Sequence, residues 1–174
     1  EAVIIGSETS MHADLVVAAA RTGKKIVLQK PMALTLAQAD EIVAVIEETG
    51  VPFTVAWQMR MDPQNLRMKQ LIQEGVLGRI LMVRRRHGLN THMWNWFENS
   101  WHVKPELNRG MWADDAAHAV DFIYWLLGTP RSVFAEVDTL VNQKVPDDNG
   151  IAVFRYADGA FAEVVSSLTC VAGE

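Results

Sequence analysis

Three features of the sequence predict an α/β fold with two unlike halves. Up to about residue 60, short apolar strands alternate with amphipathic helices, the pattern of a parallel sheet with helical crossovers. After Gly78 the pattern changes, and strand signals arrive in succession around a single helix. Ala157-Asp158-Gly159 lies between two strand-like runs and marks a hairpin, which means antiparallel pairing. The expected organisation is therefore residues 1–60 as part of a doubly wound parallel-sheet domain, and 61–174 as an α+β domain with a mostly antiparallel sheet.

Each element has its local reason. Val3 to Ile5 reads as a strand ending at Gly6, and Ser7-Glu8-Thr9-Ser10 offers hydroxyl caps to a helix over about 11–22 that Gly23 closes. Lys25 to Gln29 is a second strand, ending at Lys30-Pro31. Thr35-Leu36-Ala37-Gln38 has the form of a capping box, and the helix it opens runs to Gly50 with Ile42, Val45 and Ile46 facing inward. Phe53 to Trp57 is the third strand, and Asp62-Pro63 supplies the cap and first position of a helix ending at Gly75. Beyond it the pattern predicts a strand over 79–87, a loop over 88–110, a helix over 113–127, and strands over 131–141, 150–156 and 160–168.

Composition narrows the function classes. With 16 Lys+Arg against 21 Asp+Glu and a net charge of −5, the chain lacks the electrostatic footprint of a nucleic-acid binder. No run of about 18 apolar residues could span a bilayer. At 174 residues and 49% hydrophobic content the chain can bury a core without disulfides. The single Cys170 excludes an intrachain disulfide or a cysteine-based metal site and suits a reducing, cytoplasmic compartment. Glu1 leads directly into a strand and Gly173-Glu174 follow directly on one, so both natural termini are expected to lie outside this sequence.

Three places could carry chemistry. Asp114, His118, Asp121 and Trp125 follow spacings of 4, 3 and 4, one stripe of a helix that is otherwise apolar. That stripe fits acidic residues at a helix start with an ordinary Asp114–His118 ion pair. It equally fits a histidine held by a carboxylate for acid/base work near neutral pH. Lys30-Pro31 ends a parallel strand, where ligands bind in such sheets, although a solvated Lys before a turn Pro has the same sequence. The 88–110 loop holds Trp94, Trp96, Phe97 and Trp101 with His92 and His102, which suits either flat walls for sugar rings or core and interface anchors. His92, His102, Asp114 and His118 show no recognised metal-ligand spacing, and no metal is expected.

Three segments together resemble the Gfo/Idh/MocA family, the glucose-fructose oxidoreductase and inositol dehydrogenase group. Val3-Ile4-Ile5-Gly6-Ser7 followed by His12 is similar to the family's strand, small-Thr-Pro turn and His, with Glu8 where Pro is usual. Gly23 to Pro31 looks like its GKHVLxEKP signature, with Gln29 in place of Glu. Gly110 to His118 is similar to its GGxxxDxxxH motif, with Arg109 in place of the first Gly.

The resemblance implies a partial Rossmann-type domain: no GxGxxG occurs in the chain, so its first βαβ unit and the pyrophosphate site are expected upstream. On that expectation this chain alone binds dinucleotide poorly and leaves a sheet edge open. It further implies an NAD- or NADP-dependent oxidoreductase for a secondary alcohol of a sugar, cyclitol or related polyol. His118 would be the base, Asp114 would orient it or hold substrate, and Lys30 would stabilise the oxyanion. Ser7, His12, Gln29, Lys30 and Pro31 would face the cofactor, and Arg60, Trp96, Trp101 and His102 the substrate. A glycoside-cleaving relative that uses NAD transiently, and a non-catalytic binding relative, are the alternatives. A homo-oligomer, dimer or tetramer, would use the open face of the second sheet, where 80–86 and 133–141 alternate suitably.

Overall fold

The structure, a computed structural model, describes residues 1–171. β1 (Ala2–Ile5), β2 (Lys25–Gln29) and β3 (Phe53–Ala56) form a parallel sheet in that order, joined by α1 (His12–Arg21) and α2 (Leu36–Thr49). Right-handed crossovers in sequence put both helices on one face. There Val3, Ile5, Ile26, Leu28 and Phe53 pack against Val16, Ala20, Ile42 and Val45. On the opposite face Ile4 is 81% exposed. Thr35 caps α2 by accepting the Gln38 N–H, but Gln38 Oε1 accepts from Leu34 N rather than Thr35 N, so only half of the expected capping box forms. Gly50 closes α2 in the left-handed region, which costs a residue without Cβ nothing.

α3 (Pro63–Gln73), capped by Asp62, leads to the second sheet. This sheet contains β4 (Met82–Gly88), β5 (Ser132–Asp138), β6 (Asn149–Arg155) and β7 (Phe161–Ser167) in the order β4-β7-β6-β5. Two of its pairings are antiparallel, as expected for the meander β5-β6-β7, and the third, β4 with β7, is parallel. The cause is the helical crossover from β4 to β5, which makes those strands run the same way; two hairpins later β7 does too. Tyr156 to Ala160 forms the hairpin turn the sequence marked, with Gly159 at positive φ.

The expected loop 88–110 is instead built of three 3₁₀ turns and a short α4 (Pro105–Asn108). The helix expected over 113–127 starts with a π turn, Trp112–Ala116, before α5 (Ala117–Leu127) takes regular form. α5 covers one face of the sheet, packing Ala119 and Ile123 on Ala160, Ala162 and Val164. Trp112 lies over Gly150, where a Cβ would sit 2.5 Å from the indole ring. Gly150→Ala is therefore expected to destabilise the protein by about 1–3 kcal/mol through overpacking, read as a lower urea midpoint at unchanged slope.

Candidate functional site

The two sheets meet at Lys30. It directly follows β2, at the carboxyl edge of the parallel sheet, and its ammonium donates to Asp114 Oδ1 at 2.7 Å and to the Asp114 carbonyl at 3.0 Å. Gln29 Oε1 accepts the Lys30 N–H, a bond a glutamate would also make, so this departure leaves the lysine in place. His12 lies behind it, 1% exposed, with Nδ1 2.9 Å from the Pro31 carbonyl and Nε2 3.2 Å from the Ser7 carbonyl. It ties together the two turns that end β1 and β2.

Asp114 is 4% exposed and fully engaged. Besides Lys30, its Oδ2 accepts from Asn108 Nδ2 at 2.8 Å and pairs with His102 Nδ1 at 3.0 Å. Burial opposes its ionisation. The His102 hydrogen bond, the Lys30 charge and the Asn108 amide outweigh that and hold the carboxyl well below the usual range. Asn108, 0% exposed, also accepts from Thr9 Oγ1 in the first domain.

The expected Asp114–His118 pair does not form. In an α-helix residues i and i+4 share a face, but the wider π turn at 112–116 underwinds the angular register, and Asp114 reaches Lys30 instead. His118 instead packs edge-on against Trp57 (centroids 6.2 Å, 84°) and faces His87 at 6.3 Å. Its buried Nδ1 has no hydrogen-bond partner. Burial first, then the Lys30 charge and His87, push its pKa down to about 4 against the opposing pull of Asp115 and Asp114. It is therefore a neutral imidazole at physiological pH.

The remaining predicted residues sit around this centre. His102 stacks on Trp101 (centroids 3.8 Å) and on Phe97 (5.9 Å), so it belongs to the Asp114 network rather than standing free in the cleft. Trp96 is 61% exposed and touches Phe97 and Trp94, separated from Asp114 by Phe97 and His102. Arg60 donates through Nε to Asp121 Oδ2 at 2.9 Å and through Nη2 to Oδ1, which occupies its fork. A cavity of about 660 Å³ along Phe53–Met61 adjoins the site through Trp57 and Arg60. Arg109 stands at positive φ, explaining why a glycine is usual there, and its guanidinium donates to the Leu34 carbonyl at 2.9 Å across the domain junction. No cluster of three or more metal-ligating side chains occurs among the described residues.

Two family models cover nearly all of the chain. Residues 65–174 match the GFO/IDH/MocA C-terminal domain, and 1–57 match the oxidoreductase family NAD-binding Rossmann fold. The chain belongs to the GFO/IDH/MocA family. Levoglucosan dehydrogenase of Pseudarthrobacter phenanthrenivorans is 27% identical over 85% of the chain and 38% of its own length. Myo-inositol 2-dehydrogenase of Thermotoga maritima is 23% identical over 99% of the chain and 51% of its own. Among solved structures, the WlbA dehydrogenase of Bordetella pertussis, in complex with NADH and UDP-GlcNAcA, superposes with TM-score 0.90 at 27% identity, over 99% of this chain and 50% of that one. Levoglucosan dehydrogenase with NADH and levoglucosan gives 0.89 at 26% identity, over 100% and 49%. The chain thus spans about half or less of the length of these relatives.

Sequence reasoning missed Asn108, Thr9, Trp57, His87 and Asp115. Their long-range contacts, His87 with Asp115, Trp57 with His118 and Thr9 with Asn108, join residues 28 to 99 apart, for which no local periodicity exists, although the doubled Asp114-Asp115 could have signalled two partners.

The His118 environment has a consequence for stability. An unfolded histidine titrates at about 6.5 and the folded one at about 4, so between those values the unfolded chain holds more protons. Stability is therefore full above pH 6.5 and falls by about 3 kcal/mol at most as pH drops towards 4, with Asp114 adding further loss below the ordinary carboxylate range. Urea midpoints measured against pH check this, and His118→Gln is expected to flatten the slope between pH 6.5 and 4.

Proposed function

We propose that this chain supplies the nicotinamide-facing edge and the substrate side of an NAD(P)-dependent dehydrogenase acting on a secondary alcohol of a sugar, cyclitol or related polyol. The observation that carries the reading is a cross-domain pair, Lys30 Nζ 2.7 Å from the buried Asp114, beside a neutral His118 with no partner at Nδ1. The carboxyl ends of β1 and β2 suit the nicotinamide end of a dinucleotide: they are the ligand side of a parallel sheet, and a Cβ at Gly6 would meet nothing within 4 Å. Ser7, Gln29, Lys30 and Pro31 would face it, and His12 would fix the two turns from behind. When bound, the nicotinamide accepts or returns the hydride.

The chain's own residues do the rest. His118, uncharged, accepts the proton of the substrate hydroxyl as the carbonyl forms. Lys30, held in position by Asp114, stabilises the negative charge developing on that oxygen. Asp114 touches neither the proton nor, by its geometry, His118; it aims Lys30. Because the pair is enclosed, the ammonium acts at low dielectric and needs no reorganisation. Trp101, backed by His102, would offer a flat face to a sugar ring, with Arg60 and Trp96 further out. The relatives' named activities on levoglucosan and myo-inositol support this substrate class. The sheet face not covered by α5 exposes Met82, Phe134, Ile151 and Phe161 and fits a contact with a second copy.

The test is growth of the reduced-nicotinamide absorbance band with NAD or NADP and a panel of polyols and glycosides, using the enzyme that contains this chain. One polyol is expected to give NADH or NADPH in step with product, and Lys30→Ala and His118→Ala to lose about 10²–10⁴-fold in kcat. Aglycone release without cofactor turnover, or His118→Ala at parental rate, would overturn the reading.

A further inference from the structure

Five buried polar side-chain atoms among the described residues lack a hydrogen-bond partner, and three of them lie together: His87 Nε2, Asp115 Oδ2 and His118 Nδ1. Native interiors leave few such atoms, and a cluster of them calls for an explanation. His87 Nε2 stands 3.0 Å from Asp115 Oδ2, an ion-pair distance without hydrogen-bond alignment, and its ring faces that of His118 at 6.3 Å. The strand alternation of β4 puts His87 on the face beneath α5, in register with the uncharged Ser166 of β7. The arrangement is the work of the π turn. It sends two successive aspartates to opposite sides of the site, Asp114 to Lys30 and Asp115 to His87.

We propose that His87, held by Asp115, is a positioning residue for His118, setting the plane and the charge environment of the imidazole that takes the substrate's proton. This rests on the reading of His118 as the base. Trp57 presses the ring from one side and His87 from another, so the imidazole is confined although no hydrogen bond anchors Nδ1. The charged groups around it are Lys30 from the end of β2, Asp114 and Asp115 from the π turn, and His87 from β4. Arg85 of β4 lies over Phe122, and Arg60 is taken by Asp121, so both are committed elsewhere. His87 and Lys30 favour an uncharged His118, and the two aspartates oppose them. Without His87 the aspartates prevail further, so His118 would keep its proton to higher pH.

The experiment is the pH profile of kcat/KM for His87→Gln in the active enzyme, beside His118→Ala. Gln keeps a polar side chain for Asp115 but removes the ring and its charge. The expected result is a kcat lower by about 10- to 100-fold with KM within about twofold, and an acidic limb displaced upward by roughly one pH unit. A purely structural role would leave that limb in place. A profile and kcat equal to the parent's, with His118→Ala inactive, would overturn the inference and leave the base assignment standing; an active His118→Ala would overturn the base assignment itself. If His87→Gln does not fold, Asp115→Asn decides: freeing His87 from its carboxylate is expected to lower kcat with KM within about twofold, and a kcat and pH profile equal to the parent's would overturn the proposal.

Discussion

The pairing of Lys30 with Asp114 is the constraint on which the site depends. Both side chains are largely withdrawn from water, and a buried charge without a counter-charge costs several kcal/mol. Either partner alone would therefore oppose the docking of the parallel sheet on the second domain; together they require it. Other links follow the same junction: Thr9 with Asn108, Arg109 with the Leu34 carbonyl, and Arg60 with Asp121. The cleft is thus a domain boundary held at several points, the buried Thr9–Asn108 bond and the Lys30–Asp114 ion pair among them.

The π turn is the second determinant. Regular helix through 112–118 would have stacked Asp114 over His118 and tied the two together. One wider turn separates them, giving a carboxylate that acts on the lysine and a histidine free of hydrogen-bonded support. Beside it lie buried polar atoms without hydrogen-bond partners, His87 Nε2, Asp115 Oδ2 and His118 Nδ1.

The fold was legible in the sequence to the extent that its signals are local. Strand-helix alternation, the Thr35 cap, Gly50 and the Asp158-Gly159 hairpin all act within a few residues, and each element they announced is present. The parallel β4–β7 pair was not legible, because it is set by the crossover through α5 and not by any property of β4. Among site residues, Lys30, Asp114 and His118 were found by motif, and the structure brings them to one cleft. Their connections were not, since helical spacing assumes 3.6 residues per turn and the π turn departs from it. His102 is the instructive case. The resemblance put it on the substrate side, and in the structure its neighbours Trp101 and Phe97 stack on the ring while Nδ1 pairs with Asp114, contacts that no spacing in the sequence announces.

The β4–β7 pairing also bears on synthesis. Met82 pairs with Phe161, 79 residues later, so at 5–20 residues per second β4 waits roughly 4–16 s on the ribosome for its neighbour. During that interval both of its edges are open, and among the described residues it is the outermost strand of the finished sheet. Arg84, Arg85 and Arg86 occupy its centre. Successive arginines along an exposed strand edge disfavour pairing with a second copy of the same strand through like-charge repulsion.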